Sequence, residues 1–415
     1  MNPPRAAHGK PTPATEAPAL LRPRGSNHVG MRQFNERVVL QAIRLNGSCP
    51  KAELARLTGL TAQTIGLITT RLNDDGLIQK QDRVRGRVGQ PSVPLALNPD
   101  GAFAIGIKIG RRSADWLLVD FAGQVRQRHS LEYAFPDAAT LLPAIASHLN
   151  SMHAELGGLK DRLIGVGVAA PFQMGGWHRL LGLSDAQSDT WNQIDLRAQV
   201  QAMTEVPVSF AKDTSAACVA ELVAGRGRDL KNFLYLFVDT FVGGGLVINS
   251  HLHGGLHGNA GAVASLPMGI PIGTGNVPDQ LISHASLWEL ERRFESLGLD
   301  PHAAYDERAL SGAYQSETNA WVAHAAQALA LTVVSGTAFL DIDAVVIDGS
   351  LNRKLLTHLI EATQSALAQY CWEGLWPARL IAGEVGPDAR ALGGALMPLH
   401  ANFAPDQDLF LKSGA

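Results

Sequence analysis

The chain has 415 residues, 46% of them hydrophobic and 18% charged, which is enough apolar content for a large buried core divided among two or three units. No run approaches the ~18 apolar residues that a bilayer span requires, and the three widely spaced cysteines, Cys49, Cys218 and Cys371, support neither a disulfide framework nor a thiolate metal cluster. The formal net charge of −3 conceals a division, because residues 1–98 carry 14 Lys and Arg against 6 Asp and Glu while the remainder carries 21 against 32: a basic front end precedes an acidic body.

Residues 1–30 contain Pro3, Pro4, Pro11, Pro13, Pro18 and Pro23 and few large apolar groups, so they read either as a flexible basic arm or as an unstructured terminus. With scattered charge in place of an apolar signal core, a reducing cytoplasm is the expected compartment. From Asn35, an N-cap candidate, Val39, Leu40 and Ile43 recur at helical spacing as far as Asn46 and Gly47. A second helix is expected from near Ser48, with Pro50 in its first turn, Leu54 and Ala55 facing inward, and Gly59 supplying the positive φ of a tight turn between crossed helices.

Thr61 caps a third helix, in which Ile65, Ile68, Thr69 and Leu72 fall on one face. The opposite face carries Gln63, Leu67, Thr70 and Arg71, flanked by Thr64 and Gly66. That set of amide, hydroxyl, guanidinium and methyl groups matches what base edges and phosphates offer. An isolated amphipathic helix turns such a face to solvent; the turn glycine at its fixed offset makes this one the reading helix of a helix-turn-helix. Asp74, Asp75 and Gly76 stop it, Leu77 and Ile78 start a strand, and Val93, Leu95 and Leu97 alternate as the returning partner. Between the strands, Arg83, Arg85 and Arg87 with Gly86 and Gly89 form a basic hairpin tip suited to phosphates or an adjacent minor groove. Residues 31–98 therefore read as a winged helix-turn-helix with double-stranded operator DNA as its partner. Its candidate contacts are Gln63, Thr64, Leu67, Thr70, Arg71, Arg85 and Arg87.

From Phe103 the pattern becomes α/β. Two short apolar segments around Arg111 and Arg112 look like a hairpin, Leu141 to Leu156 is helical, and residues 164–171 read as a buried strand. A second set repeats the strand, glycine and helix scheme: a strand ending near Phe210, a helix from Ser215 to Ala224, the apolar runs 233–238 and 243–248, and residues 344–349 before another helix. Two similar sheets flanked by helices imply two lobes with a ligand cleft between them.

The order and spacing of Gly86 to Ser92, the glycine-bounded strand 106–110, Lys212 to Glu221 and His253 to Ala262 closely resemble the ROK family (repressors, open reading frames, kinases) across nearly all of the chain after Met31. The resemblance implies an actin-like, hexokinase-type (ribonuclease H-like) two-lobed body over residues 99–415, and its repressor branch places a winged helix-turn-helix in front.

The departures from the family pattern point to that branch. Kinases of the family open with an aspartate and Gly-Gly-Thr-like turns that accept ATP phosphates; here Lys108, Arg111 and Arg112 stand there. The second phosphate loop becomes Asp239 to Gly245, where Asp239 would repel a triphosphate and Phe241 would block backbone approach, and the adenosine-side glycine pair becomes Asp348 and Gly349. Asp213 matches the family's general base, although capping of the helix that starts at Thr214 explains it as well. The sugar-binding glutamate and zinc histidine correspond to the stretch Ala262 to Ser265, and the zinc cysteines to a cysteine-free stretch at 272–282. His251, His253 and His257 lie in a glycine-rich loop without matching ligands, so no metal and no cofactor are expected.

The expected function is thus a sugar-responsive transcriptional regulator of the repressor type, acting as a homodimer or higher homo-oligomer on a palindromic operator, without enzymatic activity and without a membrane partner. A sugar or sugar phosphate would be held by Lys212, Asp213, Asn259 and Trp191, the last equally explained by core packing. Two alternatives stay open: a sugar kinase with residual ATP-dependent transfer, and a regulator whose body only dimerises or docks a protein.

Overall fold

The computed structural model describes residues 28–82, 93–133, 135–172, 190–270 and 277–405. Helix α1 spans His28–Asn46, so Asn35 lies inside it and not at its cap; no proline between His28 and Phe34 interrupts the helix. Ser48–Cys49 is a short strand, β1, and not the start of a helix. Pro50, extended at φ −67° and ψ 154°, marks the boundary before helix α2, Lys51–Thr58. Gly59 then adopts φ 69° and its N–H closes on the Ala55 carbonyl, the left-handed helix end that a side chain with a Cβ resists. Helix α3 follows at Ala62–Asp74, with the Thr61 hydroxyl accepting from the Thr64 N–H at 3.2 Å and Ile65, Ile68, Thr69 and Leu72 buried. Strands β2 (Ile78–Lys80) and β3 (Leu95–Leu97) complete an antiparallel sheet of order β1-β3-β2.

The body contains two five-stranded sheets. The first comprises β4 (Phe103–Ile109), β5 (Ser113–Asp120), β6 (Val125–Glu132), β7 (Leu163–Ala170) and β8 (Val208–Lys212), in the order β6-β5-β4-β7-β8. Helix α4, Ala138–Glu155, buries Leu141, Ile145 and Leu149 in the same core as Ile105 and Val166 of this sheet. The second comprises β9 (Phe233–Val238), β10 (Gly243–Ile248), β11 (His251–Leu252), β12 (Ala344–Gly349) and β13 (Arg379–Ala382), in the order β11-β10-β9-β12-β13. In both sheets the first three strands are antiparallel neighbours and the last two join in parallel. This is the duplicated α/β scheme expected from the sequence.

Helix Gln315–Leu340 is, by length and composition, apolar enough to cross a membrane, contrary to the sequence expectation. Half of its apolar window is buried within the fold, where Trp321, Ala325, Leu329 and Val333 pack beneath the second sheet, as a core helix does.

The last helix, Ala389–Phe403, lies across the first sheet and against helix Asp213–Ala224 at a distance that only glycine permits. A Cβ on Gly393 would stand 1.7 Å from the Ala216 carbonyl oxygen, and one on Gly167 of β7 would stand 1.9 Å from the Gly394 carbonyl oxygen. The buried side chains of the N-terminal module run without a break into this layer: Leu40, Ile43 and Leu72 share one core with Phe121, Leu396 and Leu399.

Gly167→Ala is therefore expected to cost about 3 kcal/mol by overpacking. Gly158→Ala, where no heavy atom lies within 4 Å of the added carbon, should cost little. Equal urea midpoints for the two variants would remove the close-packing argument.

Candidate functional site

The face that α3 offers to a partner is fixed by the burial of its other side. With four residues turned inward, Gln63, Leu67, Thr70 and Arg71 are left exposed. Leu67 is 64% exposed, an apolar group suited to a thymine methyl. Thr64 is half-buried, and its hydroxyl lies 2.9 Å from that of Thr61, so it helps close the first turn. The Thr70 hydroxyl donates back to the Gly66 carbonyl at 2.9 Å. Arg71 forms an ion pair with Glu36 of α1, a partner that sequence reasoning missed because it lies on a different helix. A guanidinium has five N–H donors, so this pairing orients Arg71 without exhausting it. Arg83, Arg85 and Arg87 lie outside the described residues.

Strand β8 ends at Lys212, and Asp213 begins the next helix. One Asp213 carboxylate oxygen accepts the Thr214 N–H at 2.8 Å, and the other lies 3.8 Å from the Arg390 guanidinium. Lys212 Nζ donates to Asn259 Oδ1 at 3.3 Å. Burial lowers the Lys212 ammonium below its ordinary value, against the opposing pull of Asp213. Three of the expected effector residues, Lys212, Asp213 and Asn259, thus come together.

Trp191 is placed differently. Its ring is buried in the core of the first lobe and its indole N–H donates to the Pro136 carbonyl at 2.6 Å, which is the packing role. The exposed ring near the loop of Asn259 is Phe172, 47% exposed, which a Cβ on Gly258 would approach to 3.1 Å. Sequence reasoning passed over it; the available signal is an aromatic residue directly after the proline that ends a buried strand. Residues 184–189, where the family resemblance implies sugar contacts, lie outside the described residues.

A cleft of about 860 Å³ opens beside Lys108, Arg111, Arg112, Asp239, Tyr305 and Arg390. Here the chain supplies its own counter-charges. Lys108 Nζ donates to Asp115 at 2.9 Å and to Ser113 at 2.6 Å. Arg112 reaches across to the buried Glu291 at 2.6 Å, and Tyr305 donates to the other Glu291 oxygen at 2.6 Å. Arg390 pairs with Asp239 at 2.5 Å. Beside the cleft, buried Asp348 accepts from Arg353 at 2.6 Å and from the Gly386 N–H at 2.7 Å.

The bare carboxylate expected at Asp239 is therefore a paired one. Burial pushes it upward, but Arg390 and Lys108 hold it below the ordinary carboxylate range. Burial likewise opposes the charge on Arg390, which Asp239, Asp213 and Asp115 restore and raise above its usual value. Glu291 ends on the other side: burial raises it, with Tyr305 and Arg112 opposing. Phe241 does not line this cleft; its ring lies 6.4 Å from that of Trp288. One guanidinium nitrogen each of Arg111 and Arg112 is buried without a hydrogen-bond partner, which gives the cleft unused donors for a ligand rich in acceptors. Among the described residues, no group of three or more His, Cys, Asp or Glu could hold a metal ion, and both His251 ring nitrogens face carbonyl oxygens.

The ROK family model matches residues 104–400. The protein y4fQ of Sinorhizobium fredii is 28% identical over 380 residues, covering 89% of this chain and 92% of its own length. The xylose repressor of Bacillus spizizenii is 25% identical over 63% of this chain and 66% of its own length. Among solved structures, a ROK family transcriptional regulator, a homologue of the Escherichia coli Mlc protein, superposes with a TM-score of 0.64 at 19% identity, covering 90% of this chain and 97% of its own.

Arg390→Met should lower stability by about 3–5 kcal/mol by stranding the buried Asp239 charge, and the double variant Arg390→Met/Asp239→Asn should recover part of the loss. Denaturant unfolding of the three proteins checks this, and no recovery in the double variant would refute the pairing.

Proposed function

The chain belongs to the ROK family, and from that premise we propose that it is a DNA-binding transcriptional regulator, a repressor of carbohydrate genes, whose body responds to a sugar or sugar phosphate and carries out no phosphoryl transfer. The observation that carries this reading is a conjunction. A capped helix with an exposed Gln63, Leu67 and Thr70 face stands in front of a body whose phosphate-side cleft is spanned by its own ion pairs. Phosphoryl transfer needs a phosphate donor seated on preorganised cations and backbone N–H groups. Here Lys108 and Arg390 are engaged by Asp115 and Asp239, and a carboxylate in the position of a phosphate-binding glycine opposes an incoming phosphate.

Binding does not need that machinery. Asp213, Lys212 and Asn259 present a carboxylate, an ammonium and an amide in one place, groups that pair with sugar hydroxyls, and the half-exposed ring of Phe172 offers an apolar face for a pyranose. The relative named as a xylose repressor supports the regulatory role. We further propose a homodimer, since two recognition helices on a palindromic operator require one.

An electrophoretic mobility shift with the promoter of the chain's own gene should give a sequence-preferring complex that weakens steeply as salt rises. Gln63→Ala should cost about 1–3 kcal/mol of specific binding and little of the nonspecific component. The absence of any sequence preference would sink the DNA-reading proposal, whereas Asp213-dependent ATP turnover with a hexose or pentose would establish the kinase instead.

A further inference from the structure

A second cavity, of about 580 Å³, lies at the joint between α1 of the DNA-reading module and the body. Its lining includes five nitrogen bases: Arg44, Arg228, Lys231, His251 and His400. Among the described residues that line it there is no aspartate or glutamate. Leu222, Leu396 and Leu399 give it apolar walls, and its size suits a small organic ligand.

The charges are held in place by structure. The turn between β10 and β11 is formed by Asn249 and Ser250, at φ 52° and 62°, a two-residue hairpin turn of the left-handed type. The Ser250 N–H donates to the Lys231 carbonyl at 2.7 Å, which fixes the backbone that carries Lys231 at the rim. Arg44 stacks over the Phe121 ring at 5.3 Å. Arg228 donates to the Arg44 and Leu45 carbonyls at 3.4 and 3.2 Å, long bonds to the end of α1. The guanidinium of Arg44 is pushed down to about 10 by burial and by the facing charge of Arg228, with Asp120 pulling the other way. Asp120 is itself committed to Arg126 at 2.6 Å and to the N–H groups of Ala122 and Gln124. Two like charges, one on each side of the joint, thus face a space that no carboxylate among the described residues lines.

We propose that this cavity binds a small organic anion, a phosphate or carboxylate head on a compact apolar body, which bridges Arg44 of the module to Arg228 and Lys231 of the body and clamps the module in place. The anion replaces a repulsion across the joint with two attractions, so it binds the docked arrangement in preference to any in which α1 has swung away, and shifts the population toward it. This input is separate from the sugar site and does not depend on which sugar, if any, the body takes.

The test is calorimetric titration of the full chain at constant ionic strength with inorganic phosphate and with phenyl phosphate, joined to amide hydrogen exchange. Both probes should saturate a site, with phenyl phosphate the tighter because it also covers Leu396 and Leu399. Exchange at residues 43–47 should slow on binding. Lys231→Ala and Arg228→Ala should each weaken that site by about tenfold, the loss of one charge-assisted hydrogen bond. No saturable binding of either probe overturns the proposal. So does binding that survives both substitutions unchanged, or binding that is lost on Arg111→Ala instead, which places the anion in the interlobe cleft. The titration contains no DNA, so its failure is distinct from failure of the regulatory reading.

Discussion

The contact on which the rest of this molecule depends is the glycine-mediated seating of helix Ala389–Phe403. Carbonyl oxygens of Ala216, Gly394 and Ala391 occupy the space that side chains at Gly393, Gly167 and Gly106 would need, so β4, β7 and helix Asp213–Ala224 each approach it backbone to backbone. Such an interface has no side chain that can change rotamer to absorb a shift, and dense packing of this kind resists gradual deformation. The helix is therefore a fixed reference. At its start Arg390 meets Asp239 of the second sheet, and at its end the Phe403 ring meets Phe121 edge-on at 4.7 Å, with the Ala404 carbonyl accepting from Arg37 of α1.

That placement also bears on the cleft, whose cations already have carboxylate partners. A cation at the position of Lys108 or Arg112 could in principle attract phosphate. In this chain Lys108 lies against Asp115, Arg112 against Glu291 and Arg390 against Asp239, all within 3 Å. To seat a triphosphate on these cations, those pairs would have to separate and leave Glu291 and Asp239 buried without their arginine partners, at a cost of several kcal/mol for each. The same pairs join different segments of the body, Arg112 from the first hairpin to Glu291 of helix Leu287–Ser296.

How much of this was legible in the sequence follows from the range of each interaction. Local patterns were: the Thr61 cap, the Gly59 turn and the inward set Ile65, Ile68, Thr69 and Leu72 are all decided within one or two helical turns, and they stand where the sequence puts them. The duplicated sheet scheme was legible for the same reason, since each buried strand announces itself as an apolar run. Strand β6 was not, because Val125–Glu132 is an edge strand whose side chains are mostly partly or fully exposed and which includes Arg126, Arg128 and Glu132. Strand β1 was missed because two residues carry no period, and only pairing with Leu95 and Ala96 defines it. At the site, Lys212 and Asp213 were found through their chain neighbours. Arg390, Glu291 and Phe172 were not, because what gives each its role comes from distant parts of the chain: Asp239 and Arg112 for the two charges, and the Gly258 loop for the ring. Trp191 shows the converse error, a large ring assigned to a ligand when its N–H already had the Pro136 carbonyl.

The joint between the module and the body differs in character from the glycine contact. It is held by a continuous core in which Leu40, Ile43 and Leu72 meet Phe121, Leu396 and Leu399, by the Arg162 guanidinium on the Asp75 carbonyl at 2.7 Å, and by longer bonds from Arg228 and Arg37, and it encloses a cavity of about 580 Å³. Unfilled volume removes dispersion contacts, and bonds of 3.2–3.4 Å to helix-end carbonyls are among the weaker ones. A close-packed helix thus ends at a joint that is packed on one side and open to a cavity on the other. The helix is 15 residues long, about 22 Å at the rise of an α-helix, and spans from the cleft to α1. Any change in the lobes that moves Arg390 must move Phe403 with it, because the backbone contacts between leave no slack. Phe403 meets Phe121 at the joint, and the core there runs on through Ile43 to Ile65 and Leu72 of α3. A ligand-dependent shift between the lobes would have this continuous path to the exposed face of α3, which is the physical content of the regulatory proposal.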